Sequence, residues 1–344
     1  MLDRFFPASK RLARTCAGML SVSCLLALPM SLPVQAASSG SETATVAPKA
    51  ATSLLLDVAR LSNKRLIAVG ERGHILLSDD EGAHWNQASV PGTSTLTSVY
   101  FVDNEQGWAV GHDATILATQ DGGQTWIRQY FKPAAEKPLL DVWFANVRTG
   151  IAVGAYGLML RTDDGGKTWT EQDTASLGDE LIAEPHLNAI RAIGDGSLFL
   201  VGEAGLIAQS RDDGRKWVRL DSPYEGSFFG IGETPGKALL VAGLRGHLFR
   251  SVDSGQHWQE LKTDVVGALN SVQSLASGVY VLGNDGVVLR SQDDGRNFSR
   301  VQRSDRKGIA AGVSGDDGLI LVGEGGVAHT DISGQTLNVS VGGS

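Results

Sequence analysis

Ala152-Val153-Gly154-Ala155-Tyr156-Gly157-Leu158-Met159-Leu160-Arg161-Thr162-Asp163-Asp164-Gly165-Gly166-Lys167-Thr168-Trp169 reads as a strand, a tight turn, a second strand, a second turn and the start of a third strand. Versions of this stretch occur seven times, each with an apolar residue followed by glycine, at Gly70, Gly111, Gly154, Gly202, Gly243, Gly283 and Gly323. The spacings are 41, 43, 48, 41, 40 and 40 residues. A period near forty with strand-type content is the mark of a propeller or a similar array.

Each repeat resolves into four short strands. In the fourth they are Leu187–Ile193, Ser197–Gly202, Leu206–Ser210 and Lys216–Leu220, separated by Gly194-Asp195-Gly196, Glu203-Ala204-Gly205 and Asp212-Asp213-Gly214. Runs this short, bounded by such turns, do not make helices of ten or more residues. The expected fold is all-β: a seven-bladed β-propeller with four-stranded antiparallel blades, whose stacking buries faces that one blade alone would expose. The 43 glycines fall mainly in turns that need positive φ, and no Gly-X-Y period is present. In the last repeat, Leu337–Val341 can supply the fourth strand, or the segment near Thr43–Val46 can; the sequence leaves both open.

The N-terminus differs in composition. Arg4, Lys10, Arg11 and Arg14 precede an apolar run from Cys16 to Met30, and Val34-Gln35-Ala36 places small residues at a cleavage site. Residues 1–36 therefore read as a secretory signal peptide; the apolar run is short for a membrane span. Residues 37–53 read as a flexible leader, and 54–344 as the propeller. Both cysteines, Cys16 and Cys24, lie in the signal segment, so the mature chain is expected to have no disulfide or thiolate chemistry. The formal charge of −8 becomes −11 once the four basic side chains and Asp3 leave with it. An acidic chain with no basic run is a poor nucleic-acid binder, and no transmembrane segment is expected after cleavage.

Between the third and fourth strands sits Ser/Thr-x-Asp-x-Gly-x-x-Trp/Phe, the Asp-box, at Ser78–Trp85, Thr119–Trp126, Thr162–Trp169, Ser210–Trp217, Ser251–Trp258 and Ser291–Phe298. The seventh repeat has lost it: Ile332 stands for the acid and Leu337 for the aromatic. Its acids, Asp80, Asp121, Asp164, Asp212, Asp253 and Asp293, suit a structural role, closing the turn onto backbone N–H groups. Five of the seven tryptophans occupy the aromatic position, as apolar anchors between blades.

The pattern Val-Gly-x-x-Gly-x-(Ile/Leu)-x-(Ser/Thr)-x-Asp-x-Gly-x-x-Trp resembles the Ycf48/Hcf136-like photosystem II stability and assembly factors; Gly154–Trp169 and Gly111–Trp126 show it best. The resemblance covers residues 54–344. It implies an exported propeller that binds a protein partner, a membrane protein or its exported loop, without catalysis or cofactor. The compartment implied is the periplasm, or the thylakoid lumen in a photosynthetic host. An arginine patch is associated with partner binding in that family; here one strand-three position carries Arg161, Arg250 and Arg290.

Asp-box propellers also include sialidases, so a glycoside hydrolase is the alternative in another functional class; a periplasmic accessory of a transporter is a third. The Arg-Ile-Pro opening of sialidases is absent from the sequence, and no tyrosine has a glutamate partner at family spacing. No catalytic, metal or cofactor residue is assigned. His74 and His247 share one repeat position and His84 and His257 another, which marks them as scaffold. No Gly-Lys-Ser/Thr forms a phosphate loop.

Function is expected where the blades differ. The turn between strands two and three varies most and offers Arg72, His112, Asp113, Tyr156, Glu203, Arg245, Asp285 and Glu324 as partner-binding residues. In a meandering blade these turns share one end of the disc with the links between blades. Two of those links, Tyr130–Pro138 and Thr174–Pro185, are long.

Overall fold

In a computed structural model of the protein, the structure describes residues 43–337 apart from 63, 180 and 181. The expected signal peptide lies outside the described residues, as does the end of the chain beyond Leu337. Seven antiparallel sheets follow one another in sequence; six have four strands, and the last has three among the described residues. The fourth repeat reads Leu187–Ala192, Leu198–Gly202, Ile207–Ser210 and Val218–Arg219, within two residues of expectation at each boundary.

The first strand of each blade is innermost. Leu55–Arg60, Leu96–Phe101, Leu139–Phe144, Leu187–Ala192, Phe228–Glu233, Leu269–Leu275 and Ile309–Ser314 pack side by side in a closed ring around a channel. Second strands such as Leu66–Gly70 and Leu198–Gly202 are buried along their whole length, because a neighbouring blade covers each face. Seven apolar clusters result, one per blade interface. The aromatic of each Asp-box packs into the interface with the preceding blade: Trp85 against the last blade, then Trp126, Trp169, Trp217, Trp258 and Phe298 in turn.

The glycine that marks the repeat has a different cause from the turn glycines. Gly70 has φ near −175°, which any residue adopts. A Cβ there would run into the carbonyl oxygen of Leu54, and the same clash recurs at Gly111 with Thr95 and at Gly202 with His186. Each inner strand carries a one-residue bulge at this level, so the second strand closes tightly on its entry. Close backbone approach, not positive φ, requires glycine here.

Two expectations about the ends are resolved. Thr336 bridges Thr330, and the Leu337 N–H donates to His329 O at 3.0 Å, so C-terminal residues begin the fourth strand of blade 7. The rest of Leu337–Val341 lies outside the described residues. The segment near Thr43–Val46 does not add a strand to that blade. Thr43 bridges Pro91, and Ala44 N–H donates to Val90 O at 2.9 Å, at the outer edge of blade 1. Residues 43–53 are also packed where the sequence reads as free leader. Ala47 N–H donates to Gln87 Oε1 at 2.9 Å, Ala50–Thr52 forms a 3-10 turn, and Ala44 and Ala50 are buried. Alanine methyls fit the seams between outer strands, which composition alone does not show.

Candidate partner-binding face and channel

All the strand-two to strand-three turns lie at one end of the disc. In blade 1 the turn Glu71-Arg72-Gly73-His74 closes with a His74 N–H to Glu71 O bond of 3.0 Å, with Arg72 at φ 56° and Gly73 at φ 71°. Two successive positive φ values make a type I′ turn, whose twist suits a two-residue hairpin. Asp113, Tyr156, Arg245 and Asp285 hold the same left-handed position in their blades. In each blade the first turn residue is anchored to the link leading into that blade's inner strand. Glu71 N–H donates to Leu54 O, His112 to Thr95 O, Ala155 to Pro138 O and Glu203 to His186 O. Leu244 donates to Ser227 O, Asn284 to Ala268 O and Glu324 to Gly308 O. The tips are thus held on a rigid ring.

Side chains at the tips divide by use. Asp113 accepts from Ser94 Oγ at 2.6 Å, Glu203 from His186 N–H at 3.1 Å and Glu324 from Gly308 N–H at 2.9 Å. These carboxylates brace the links. Arg72, His112, Tyr156, Arg245 and Asp285 are exposed. The links add residues that the sequence reading did not single out. His186 meets the Tyr156 ring edge-on at 4.8 Å, and Lys137 Nζ donates to Tyr156 O at 2.9 Å. Tyr224 lies 4.2 Å from the His247 ring, and Arg128 sits over Phe131. Phe131, Tyr156, Leu244 and Val266 expose apolar surface at this end.

Arg161, Arg250 and Arg290 are not part of this face. They lie at the opposite, Asp-box end and are spent on neighbouring backbone. Arg161 is buried, paired with Asp163 at 2.8 Å and bonded to Asp213 O in the next blade. Arg250 reaches Asp294 O at 3.1 Å and its carboxylate at 2.9 Å, again in the next blade. Arg290 donates to Ser277 O at 2.8 Å and lies over Tyr280. Repetition at one strand position does not bring the three together: Arg161 and Arg250 each reach the next blade, and Arg290 folds back on the turn of its own.

The box acids are dispersed around the ring. In blade 3, Asp164 Oδ1 accepts from Thr162 Oγ1 at 2.8 Å and Thr168 N–H at 2.9 Å, while Gly166 N–H donates to Thr162 Oγ1 at 2.8 Å. The same set recurs in the other five boxes. The His84 backbone N–H and imidazole hold Asp80 down at about 2. Blade 7 builds a substitute: Asp331 accepts from Ser333 Oγ at 2.6 Å and from Gln335 N–H at 3.0 Å.

The channel has a cavity of about 440 Å³. At its mouth, on the turn end, polar and apolar residues alternate. Thr97, Asn188 and Asn270 each donate to a carbonyl of the next inner strand, at 2.8 Å, while Leu56, Leu140 and Phe229 line the space between. Below them, Asp57 accepts from Val58 N–H at 2.8 Å and from Val99 N–H of blade 2 at 2.9 Å. Asp141 repeats this two blades on, with Val142 and Ile190 N–H at 2.9 Å each. Both carboxylates satisfy edge N–H groups that the innermost strand leaves unpaired. Arg191 Nη1 pairs with Asp141 Oδ2 at 2.6 Å, which holds the arginine above its usual value. The only sequence signal for this network is an acid inside Leu56-Asp57-Val58 and Leu140-Asp141-Val142, in strands that are otherwise mostly apolar.

A family model described as Photosynthesis system II assembly factor YCF48 matches residues 83–138 and 128–282. The chain belongs to this family. A Ycf48 photosystem II assembly protein from Thermosynechococcus vestitus is 29% identical over 216 residues, covering 61% of this chain and 60% of that protein. One from Synechococcus sp. (strain JA-3-3Ab) is 35% identical over 203 residues, covering 58% and 54%. A Ycf48 assembly lipoprotein from Prochlorococcus marinus (strain MIT 9312) is 34% identical over 178 residues, 51% of each. The chain thus spans about half to six-tenths of the length of these three relatives. Among solved structures, YCF48 bound to D1 peptide superposes with TM-score 0.65 at 20% identity, covering 80% of this chain and 92% of that one. A virginiamycin B lyase from Staphylococcus aureus superposes at 0.68 with 13% identity, covering 83% and 97%. At these identities the likeness is one of fold. No described helix is long and apolar enough to cross a membrane.

Proposed function

We propose that this protein is an exported, non-enzymatic assembly factor that grips a peptide segment of a membrane protein on its turn end. One observation carries the reading: the varied tips are the exposed part of a rim in which every blade ties its tip to the link entering its own inner strand. Rigid presentation of varied side chains suits recognition, since little ordering cost falls on the protein when a partner docks. Family membership supports it, and so does the fold shared with a YCF48 that holds a D1 peptide. The proposed contacts are Arg72, His112, Tyr156, Arg245 and Asp285, with Asp113, Glu203 and Glu324 bracing the links beneath them. Arg161 and Arg250 are assigned to the blade seams, and Arg290 to a turn of its own blade. The six box acids are assigned to the scaffold, because each is engaged within its own turn. Export to the periplasm or lumen accords with the lipoprotein relatives and with the signal-like N-terminus.

The test is capture of partner from solubilised membranes by the full chain and by the triple variant R72A/Y156A/R245A. We expect loss of most captured partner with unchanged melting temperature, because the three side chains stand out from the fold. Equal capture by the variant would reject the rim as the contact surface.

A further inference from the structure

Ser98 has one hydroxyl hydrogen, yet its Oγ lies 3.0 Å from Asp57 Oδ2 and 2.8 Å from Asp141 Oδ1. It can donate to only one of them. With both carboxylates ionised, the other contact sets lone pair against lone pair in the wall of the channel cavity, where Asp57 is half-buried. A proton on Asp57 removes the conflict: Asp57 donates to Ser98, and Ser98 donates to Asp141. Arg191 settles which acid holds the proton, since its guanidinium bonds Asp141 and, among the described residues, Asp57 has no bonded cation.

We propose that Asp57, Ser98 and Asp141 form a proton-operated clasp joining the inner strands of blades 1, 2 and 3, closed when the proton is held and loosened when it leaves. The charged and titratable groups around Asp57 are few. Asp141, Arg191 and Tyr100 come from blades 3, 4 and 2. The inner strands of blades 6 and 7 carry none. Glu233, at the far end of that strand in blade 5, is engaged with Gly194 N–H and Lys237. Arg60, on the same strand as Asp57, is engaged with Glu81. Burial pushes the Asp57 carboxyl up to about 6, against the opposing pull of the Val99 N–H and Arg191. Leu56, Thr97 and Leu140 immediately precede the three clasp residues, so the clasp bears on the channel mouth.

The sign follows from the raised value. The native state holds a proton that the unfolded chain has released, so the clasp's contribution is complete below the ordinary carboxylate range. It is lost as pH rises through about 6. The experiment compares urea unfolding of the full chain and of D57N from about pH 5 to about pH 7.5. Asparagine removes the titration: with its Nδ2 toward Ser98 it keeps a donor there and an acceptor for Val58 N–H, and gives up the Val99 N–H bond at a cost that does not vary with pH. The folding constant of the unaltered protein should fall about tenfold relative to D57N across this range. His74, buried and with its value lowered, titrates in the opposite sense but is common to both proteins. Parallel pH profiles would overturn the clasp. The carboxyl carbon-13 shift of Asp57, assigned through its own amide, gives a second reading that does not require the variant to fold. A midpoint near 6 supports the clasp; one at or below the ordinary value of about 4 ends it. Neither measurement involves a partner, so the outcome is independent of the docking proposal.

Discussion

The guanidinium of Arg60 lies 2.6 Å from the carbonyl oxygen of Ser314, a residue 254 positions away, and so ties the first inner strand to the last. The same side chain makes a two-pronged contact with Glu81, both bonds at 2.7 Å. Beside it, His329 Nε2 lies 3.0 Å from Gly82 O, and Leu55, Val58 and Ala68 pack against Ala311 and Val322. These contacts close the ring.

R60M should therefore weaken the closing seam. Methionine covers similar apolar area but leaves Ser314 O and Glu81 without their donor. Loss of a half-buried charged partner of this kind costs about 1–3 kcal/mol. Urea unfolding at neutral pH checks it. An unchanged midpoint would show that apolar packing closes the ring unaided.

Two glycines in blade 4 should respond differently to alanine. Gly196 has φ 84° and nothing within 4 Å of an added Cβ, so G196A should cost about 1–2 kcal/mol, from backbone strain alone. At Gly202 the new Cβ meets His186 O, whose residue leads into the inner strand. G202A must push two strands apart, at about 3 kcal/mol or more. Thermal melts of the two variants decide the order.

The Asp-box carboxylates predict an acid limit. Asp80 is held down at about 2 by the His84 N–H and imidazole, so its share of stability is present above the ordinary carboxylate range. That share is lost as pH falls through about 2. Unfolding midpoints taken from about pH 5 downward should drop less steeply in D80N than in the unaltered protein. Equal slopes would show that solvent screening at this partly exposed site removes the effect.

The propeller itself was legible in the sequence. Strand, turn and box signals are short-range, set by which residues accept a turn or close it with a nearby hydroxyl and carboxylate. A repeat near forty residues places them in phase, and the sheets follow within a residue or two. The candidate rim was legible in its positions, since turn residues announce themselves. It was less so in how each is used: Glu203 and Arg72 sit in equivalent turns, but one braces a link and the other stands free of it. Strand-three arginines look like a patch in sequence, yet two of them are taken up across blade seams and the third by a turn of its own blade.

The sequence alone determined the number of blades, the path within each blade and the end of the disc that carries the varied turns, because those depend on contacts between residues a few positions apart. Tertiary structure decided the rest. Stacking brings residues about forty positions apart side by side, and their identities do not repeat, so no period announces them. Hence Asp57, Ser98, Asp141 and Arg191 meet at the channel, the alanines of the leader fill a seam, and Arg60 finds Ser314 across the last gap in the ring.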